Sequence, residues 1–152
     1  MEVAIREAGP ADSPALTDLA THLGGPDDPS SLVAGFESLI AHPDHLVLVA
    51  VAADGEIVGW VHAFIARRVQ ALPFVEIGGL VVVPAHRRSG IGSSLCRRVA
   101  LWAEGVGVSR LRVRSRSDRT DAASFFETIG FSRTKTQSVF DASGAASGST
   151  DP

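Results

Sequence analysis

The chain has 152 residues, of which 45% are hydrophobic, and a formal net charge of −3. This length and composition are typical of one soluble globular domain with a real core. No apolar run reaches the ~20 residues that a membrane span needs, the N-terminus lacks a signal-peptide pattern, and the only cysteine, Cys96, leaves no intrachain disulfide. We therefore expect a cytoplasmic protein without a membrane partner.

Hydrophobic periodicity and turn signals predict ten elements along the chain. In chain order they are strand Val3–Ala8, helices at about 12–23 and 31–42, strands His45–Ala53, Glu56–Arg68 and Val75–Val83, helix Ile91–Glu104, strand Val108–Ser115, helix Thr120–Ile129 and strand Phe131–Phe140.

The order β-α-α-β-β-β-α-β-α-β predicts an α/β fold with a mixed sheet and helices on both faces. Three consecutive strands joined by short turns are expected to be antiparallel, and the strand-helix-strand segment is expected to be a parallel crossover. We predict a single domain over residues 1–141. The remaining Gly- and Ser-rich residues, 142–152, are predicted to be a disordered tail.

The distribution of charge is uneven along the chain. Residues 1–66 carry ten acidic residues and one basic residue, whereas residues 67–119 carry eleven arginines and three acidic residues. This asymmetry suits a site that brings a cation to a polyanion, although solvated faces of opposite sign explain it equally well.

A glycine-rich turn stands between the Val75–Val83 strand and the next helix, with the sequence Arg87-Arg88-Ser89-Gly90-Ile91-Gly92. Free backbone N–H groups at a helix N-terminus attract anions, and glycine lets the backbone approach a phosphate closely. The turn therefore predicts a pyrophosphate site. It does not match a dinucleotide fingerprint, because Leu95 replaces the third glycine, and it lacks the Gly-Lys-Ser/Thr of a P-loop.

The same turn resembles the acetyl-CoA-binding motif of the GNAT superfamily of N-acetyltransferases, Arg/Gln-x-x-Gly-x-Gly/Ala. A second segment, Arg119-x-x-Ala122-x-x-Phe125-Phe126-x-x-x-Gly130-Phe131, is similar to a helix of that family. The resemblance implies the GNAT fold, a β-bulge at Gly78-Gly79, and acetyl-CoA as cofactor. The cofactor-binding residues that it implies are Leu80, Val81, Val82, Arg87, Arg88, Ser89, Gly90, Ile91, Gly92, Ser93 and Phe126.

Glu76 is the predicted catalytic base, because an amine with a pKa of ~10.4 must lose a proton before it attacks a thioester. Its distance from Gly90 matches the position of a catalytic glutamate in part of the family. The alternative is a strand-edge glutamate that only pairs with an arginine. The tyrosine that often protonates the leaving thiolate corresponds to Phe126, and the chain contains no tyrosine.

These residues predict transfer of an acetyl group from acetyl-CoA to a primary amine, of a small molecule or a peptide, by direct attack. One alternative is a catalytically silent acetyl-CoA-binding module. Another is an RNA-binding face made by arginines that alternate along one strand, which lacks the interleaved aromatic residues of such surfaces. The histidines show no metal-ligand spacing, so no metal is expected, and we expect a monomer or a homodimer. The arginines of that face are Arg110, Arg112, Arg114 and Arg116.

Overall fold

The structure is a computed structural model that describes residues 2–22, 29–115 and 119–143. The helices are α1 (Ser13–His22), α2 (Pro29–Ile40), α3 (Ile91–Gly105) and α4 (Thr120–Thr128). The strands are β1 (Val3–Glu7), β2 (His45–Ala52), β3 (Ile57–Arg68), β4 (Ala71–Val82) and β5 (Leu111–Val113). None of the helices in the described residues combines the length and apolar character needed to cross a bilayer.

One mixed sheet holds the strands in the order β1-β2-β3-β4-β5. The β1–β2, β2–β3 and β3–β4 pairs are antiparallel, and β4–β5 is parallel. The connection from β4 to β5 passes through α3, as expected for a parallel crossover. This arrangement confirms the predicted α/β fold class.

The two faces of the sheet are covered by different helices. Val47 and Val49 of β2 pack with Leu16 of α1 and Phe36 of α2 on one face, and we call this the α1/α2 face. On the other face, Ile91 of α3 lies against Gly59, which pairs with Ala50. Because successive side chains of β2 alternate between two buried faces, this strand is apolar almost throughout.

The predicted bulge is present in β4. Gly79 pairs with His62 and Ile77 pairs with Ala63, so Gly78 is the extra residue between them. A bulge bends its strand and increases the local twist. It therefore separates the N-terminal part of β4, which pairs with β5, from the Leu80–Val82 part.

Several predicted boundaries differ from the structure. β4 begins at Ala71, four residues before the predicted start at Val75. The ladder with β3 is irregular between Ala66 and Arg68, beside Pro73, which has no N–H to donate. β5 covers only Leu111–Val113 of the predicted Val108–Ser115.

The chain divides into two compact units, residues 1–114 and residues 115–152. The second unit contains α4, and no strand forms in its described residues 131–143, so the predicted strand Phe131–Phe140 is wrong there. The physical reason is that residues 132–138 offer no apolar side chain to either face, while Val139 and Phe140 are 82% and 91% exposed. Most of the predicted tail, 144–152, lies outside the described residues.

Candidate active site

The loop before α3 has an unusual backbone conformation at two positions. Arg88 has φ 63° and Gly90 has φ 86°, both in the left-handed region. Glycine adopts this region without penalty, whereas it is uncommon for other residues such as arginine. Left-handed residues within a tight turn are a feature of the backbone concavities that bind anions.

The N-terminus of α3 continues this loop. The helix begins at Ile91, and its first intrahelical bond from this end runs from the Ser94 N–H to the Gly90 carbonyl, at 3.0 Å. The preceding amides of a helix have no intrahelical partner, so those of Ile91, Gly92 and Ser93 are available as donors. They lie at the positive end of a 15-residue helix, where the helix dipole favours an anion.

Two side-chain hydrogen bonds hold the loop, one to β4 and one within the loop itself. The Arg87 Nε donates to the Val82 carbonyl at 3.0 Å, and the Ser89 hydroxyl donates to the His86 carbonyl. A shallow pocket adjoins the loop and is lined by Val3, Ile5, Ser89, Gly90, Ile91 and Ser94. The predicted pyrophosphate residues 87–93 therefore form one continuous turn around a helix N-terminus.

The strand that precedes the loop has an open edge. β5 pairs with β4 only through Val75, Glu76 and Ile77, and among the described residues no strand continues that ladder along Leu80–Val82. On their other side Leu80, Val81 and Val82 pair with Val61, Trp60 and Gly59 of β3. The bulge at Gly78 marks the start of the open edge, so a ligand with amide groups has backbone donors and acceptors to pair with.

Glu76 lies on the α1/α2 face of the sheet, opposite Phe64. Its Oε1 accepts a hydrogen bond from the Nε of Arg114, the residue after β5, at 3.0 Å. The Glu76 side chain is 14% exposed and that of Arg114 is 44% exposed. The carboxylate is thus a largely covered anion beside the bulge, and the arginine pairing foreseen as its alternative role is present.

Two histidines lie on the same face of the sheet as Glu76, one on β2 and one on β3, and the sequence analysis did not single them out. The Nδ1 of His45 and the Nε2 of His62 are 3.0 Å apart, and Phe64 packs against both rings. Burial lowers the pKa of His62 to about 4, with a smaller contribution from His45. The sequence signal that could have identified them is the Asp54-Gly55 hairpin, because it places His45 and His62 on neighbouring strands.

The alternating arginines are partly engaged within the chain. The Arg112 guanidinium lies 4.4 Å from the centre of the Phe74 ring, and Arg114 pairs with Glu76. Arg116 lies outside the described residues. Arg112 and Arg114 are therefore engaged by groups of the chain itself.

The structure also shows the surroundings of the other candidate residues. Cys96 is buried in α3, and burial raises the pKa of its thiol to about 11, which makes it a poor nucleophile. Among the described residues, no group of three or more potential ligands is arranged to hold a metal ion. Phe126 lies in the second unit, where its ring contacts those of Phe125 and Phe131.

Comparison with known proteins identifies the class. The model of the acetyltransferase (GNAT) family matches residues 14–131. The aminoglycoside N(6')-acetyltransferase type 1 of Salmonella typhimurium is 28% identical over 116 residues, which cover 74% of this chain and 78% of that protein. The mycothiol acetyltransferase of Saccharomonospora viridis is 35% identical over 104 residues, covering 68% of this chain and 31% of that protein.

A solved structure has the same fold. The aminoglycoside acetyltransferase AAC(6')-Iy, in complex with a bisubstrate analogue of coenzyme A and acetylneamine, superimposes with a TM-score of 0.85 at 20% identity. The match covers 94% of this chain and 99% of the other. The chain belongs to the GNAT acetyltransferase family. It is an N-acetyltransferase that uses acetyl-CoA and an amine.

Proposed function

We propose that this enzyme acetylates a cationic primary amine of the aminoglycoside type at a site centred on the β4 bulge. The observation that carries the proposal is the open edge of Leu80–Val82, which leads directly into the loop and N-terminus of α3. In this proposal the edge pairs with the pantetheine arm. The turn from Arg87 to Ser93 holds the pyrophosphate.

Glu76 is the proposed catalytic group. A carboxylate 14% exposed next to the bulge attracts an ammonium ion, and a carboxylate oxygen is the acceptor that an amine needs to lose its proton. The neutral nitrogen then attacks the thioester carbonyl. The departing thiolate has a conjugate pKa of ~8.5, so it leaves without the phenol that many relatives of this kind supply.

The acceptor class follows from charge and from the relatives. The first 66 residues carry ten acidic residues and one basic residue, and the α1/α2 face carries Glu76, while Asp44 lies just before β2. Both features favour a polycationic amine over an acidic substrate. Two of the proteins compared above act on aminoglycosides by name. A cationic peptide amine is the second candidate, and we propose a cytoplasmic monomer or homodimer.

The proposal is tested by thiol release from acetyl-CoA against a panel of aminoglycosides, simple diamines and basic peptides. Gly92→Glu places a carboxylate among the donors at the N-terminus of α3, so calorimetric binding of acetyl-CoA and turnover should both be lost. Gly105→Glu adds the same group at the other end of the helix, where nothing lies within 4 Å of the Cβ position, and should retain both.

Four outcomes have different meanings. Turnover with aminoglycosides but not with peptides supports the proposal in full. Turnover with peptides alone keeps the site and replaces the substrate. Tight acetyl-CoA binding without turnover on any amine would identify a silent binding module, and unchanged binding by Gly92→Glu would contradict the cofactor site itself.

A further inference from the structure

A side chain of β3 lies against the β4 bulge on the α1/α2 face. A Cβ built on Gly78 would have the Nδ1 of His62 as its nearest neighbour, at 3.1 Å, and the Cε1 of Phe64 as the next, at 3.2 Å. Gly78 is exposed and contributes no side chain of its own. A molecule that approaches the bulge from this face therefore meets one polar atom beside the edge of an aromatic ring.

The other ring nitrogen of His62 is already occupied. The Nε2 of His62 lies 3.0 Å from the Nδ1 of His45, and the two ring planes differ by 10°. Phe64 packs against both imidazoles, with ring centres 5.5 and 5.6 Å apart. These contacts fix the position of the His62 Nδ1 at the bulge, because turning the ring would break its bond to His45.

The Nδ1 of His62 is available to a ligand. Within the described part of the chain no hydrogen bond uses this nitrogen, and it is not one of the buried atoms that lack a partner, so solvent reaches it. Burial lowers the pKa of His62 to about 4, so the ring is neutral at pH 7. A neutral imidazole carries one N–H and one lone pair.

The two imidazoles can bond to each other in two ways. Either His62 donates from Nε2 and its Nδ1 carries the lone pair, or His45 donates and the Nδ1 of His62 carries a proton. An ammonium ion has only N–H groups to offer, so it stabilises the first arrangement. Glu76 lies on the same face, opposite Phe64, and its negative charge favours a cation there. A cationic amine is therefore the ligand that suits this place.

We propose that His62 binds the acceptor amine by accepting a hydrogen bond from one of its N–H groups at Nδ1. This inference rests on the proposed function, which puts the reaction at the bulge. An amine nitrogen is tetrahedral, so once it has lost its extra proton, a bond through one N–H leaves its lone pair directed away from the imidazole. His62 is thus a substrate-binding residue that holds the nitrogen, and no proton is transferred to it.

The experiment uses two variants of His62 that each keep one polar position. The amide of asparagine lies where the imidazole has Nδ1, and that of glutamine lies where it has Nε2. His62→Gln therefore keeps a partner for His45 and loses the polar atom at the bulge, whereas His62→Asn does the reverse. The ligands are butylamine and neamine, the aminoglycoside in the bisubstrate analogue described above.

We expect the two variants to differ in amine affinity. Calorimetry in saturating coenzyme A should show that His62→Gln raises the Kd of both amines about 10-fold or more, since it removes a hydrogen bond to a charged group. His62→Asn should raise it less than about 3-fold, and neither variant should change the Kd of coenzyme A. The matched control is His42→Gln, at an exposed residue whose ring contacts that of His45, which should stay within about 2-fold.

The outcomes separate this inference from the proposed function. Equal losses of amine affinity in both His62 variants, or a loss in His62→Asn alone, would overturn the binding role of Nδ1 and leave the proposed function intact. A wild type that neither binds nor acetylates either amine would instead contradict the proposed function.

The wild type decides the question if a His62 variant does not fold. In a long-range proton–nitrogen NMR spectrum, the Nδ1 of His62 should have the resonance of an unprotonated nitrogen in the complex with coenzyme A and neamine. That resonance should also move as neamine is added to the enzyme saturated with coenzyme A. A protonated Nδ1 in the complex, or a resonance that does not move at saturating neamine, would overturn the inference.

Discussion

At the scale of single residues, Glu76 combines an ion pair with Arg114 and the role in proton transfer that we propose for it. Glu76→Gln keeps the shape of the side chain and removes its charge and its basicity. We expect turnover to fall about 10²-fold or more at neutral pH and to recover as the pH approaches the pKa of the amine, because an already neutral amine needs no base. A pH–rate profile in saturating acetyl-CoA measures this.

Glu56→Gln is the matched control for that experiment. Glu56 lies in the turn between β2 and β3 and is exposed, so the same change in charge should leave the profile as it is in the wild type. A Glu76→Gln profile that coincides with the wild type would make Glu76 a structural partner of Arg114 only.

Asp12 forms an ion pair with Arg6 that is held by several short hydrogen bonds. Both nitrogens of the Arg6 guanidinium reach the carboxylate at 2.8 Å, and the Gly9 N–H donates to it at 2.7 Å. The hydrogen bond from Arg6 lowers the pKa of Asp12, against the opposing effect of burial. Asp12→Asn should cost about 1–3 kcal/mol of stability at pH 7, because it weakens a charge-assisted pair.

The sign of the pH dependence follows from that lowered pKa. The folded state binds the Asp12 proton less readily than the unfolded state, whose pKa is ~3.9, so the stabilisation is complete above that value. It is lost as the pH falls through the lower pKa of the folded state. Urea unfolding should show the gap between wild type and Asp12→Asn closing in acid. Asp121→Asn, at a carboxylate 78% exposed beside Arg119, should show no measurable gap.

At the scale of elements, the bulge in β4 depends on glycine for space as well as for conformation. A Cβ on Gly79 would lie 2.8 Å from two carbons of the Trp60 ring. That ring packs against the core of α1, α2 and β2, so it cannot easily move. Gly79→Ala should destabilise the fold by about 1–3 kcal/mol through overpacking, measured by urea unfolding.

We expect alanine at Gly35, in α2, to have the opposite effect on stability. Nothing lies within 4 Å of its Cβ position, and alanine is the better helix former. Gly35→Ala should therefore stabilise the chain by about 0.5–1 kcal/mol. If Gly79→Ala were equally harmless, the close approach of Trp60 to β4 would not be a constraint on this strand.

At the scale of the whole molecule, ligand binding should raise the melting temperature. A ligand at 100 times its Kd stabilises the folded state by about 2.7 kcal/mol, which is a shift of roughly 5–11 °C for a chain of this size. Coenzyme A should produce that shift, and pantetheine, which lacks the pyrophosphate, should produce much less at the same concentration. Added salt should reduce the shift, because exposed arginines of the loop are screened.

The amino-acid sequence by itself determined most of the architecture. Periodicity and turn signals identified β2, β3 and α3 to within a few residues, and the Arg87–Gly92 segment indicated the helix N-terminus that the structure forms. These features depend on neighbours in sequence, such as glycine at positive φ or apolar residues at helical spacing. The predicted strand Phe131–Phe140 failed for the converse reason, since a polar segment needs a partner strand that local sequence does not reveal.

Only the tertiary structure decided which side chains meet. The Glu76–Arg114 ion pair joins residues 38 positions apart, and the contact between His45 and His62 joins residues 17 positions apart. The first depends on the register between β4 and β5, and the second on the register between β2 and β3. A shift of one residue would move every following side chain to the opposite face. The sequence therefore indicated the candidate site residues, whereas the contacts among their side chains required the sheet.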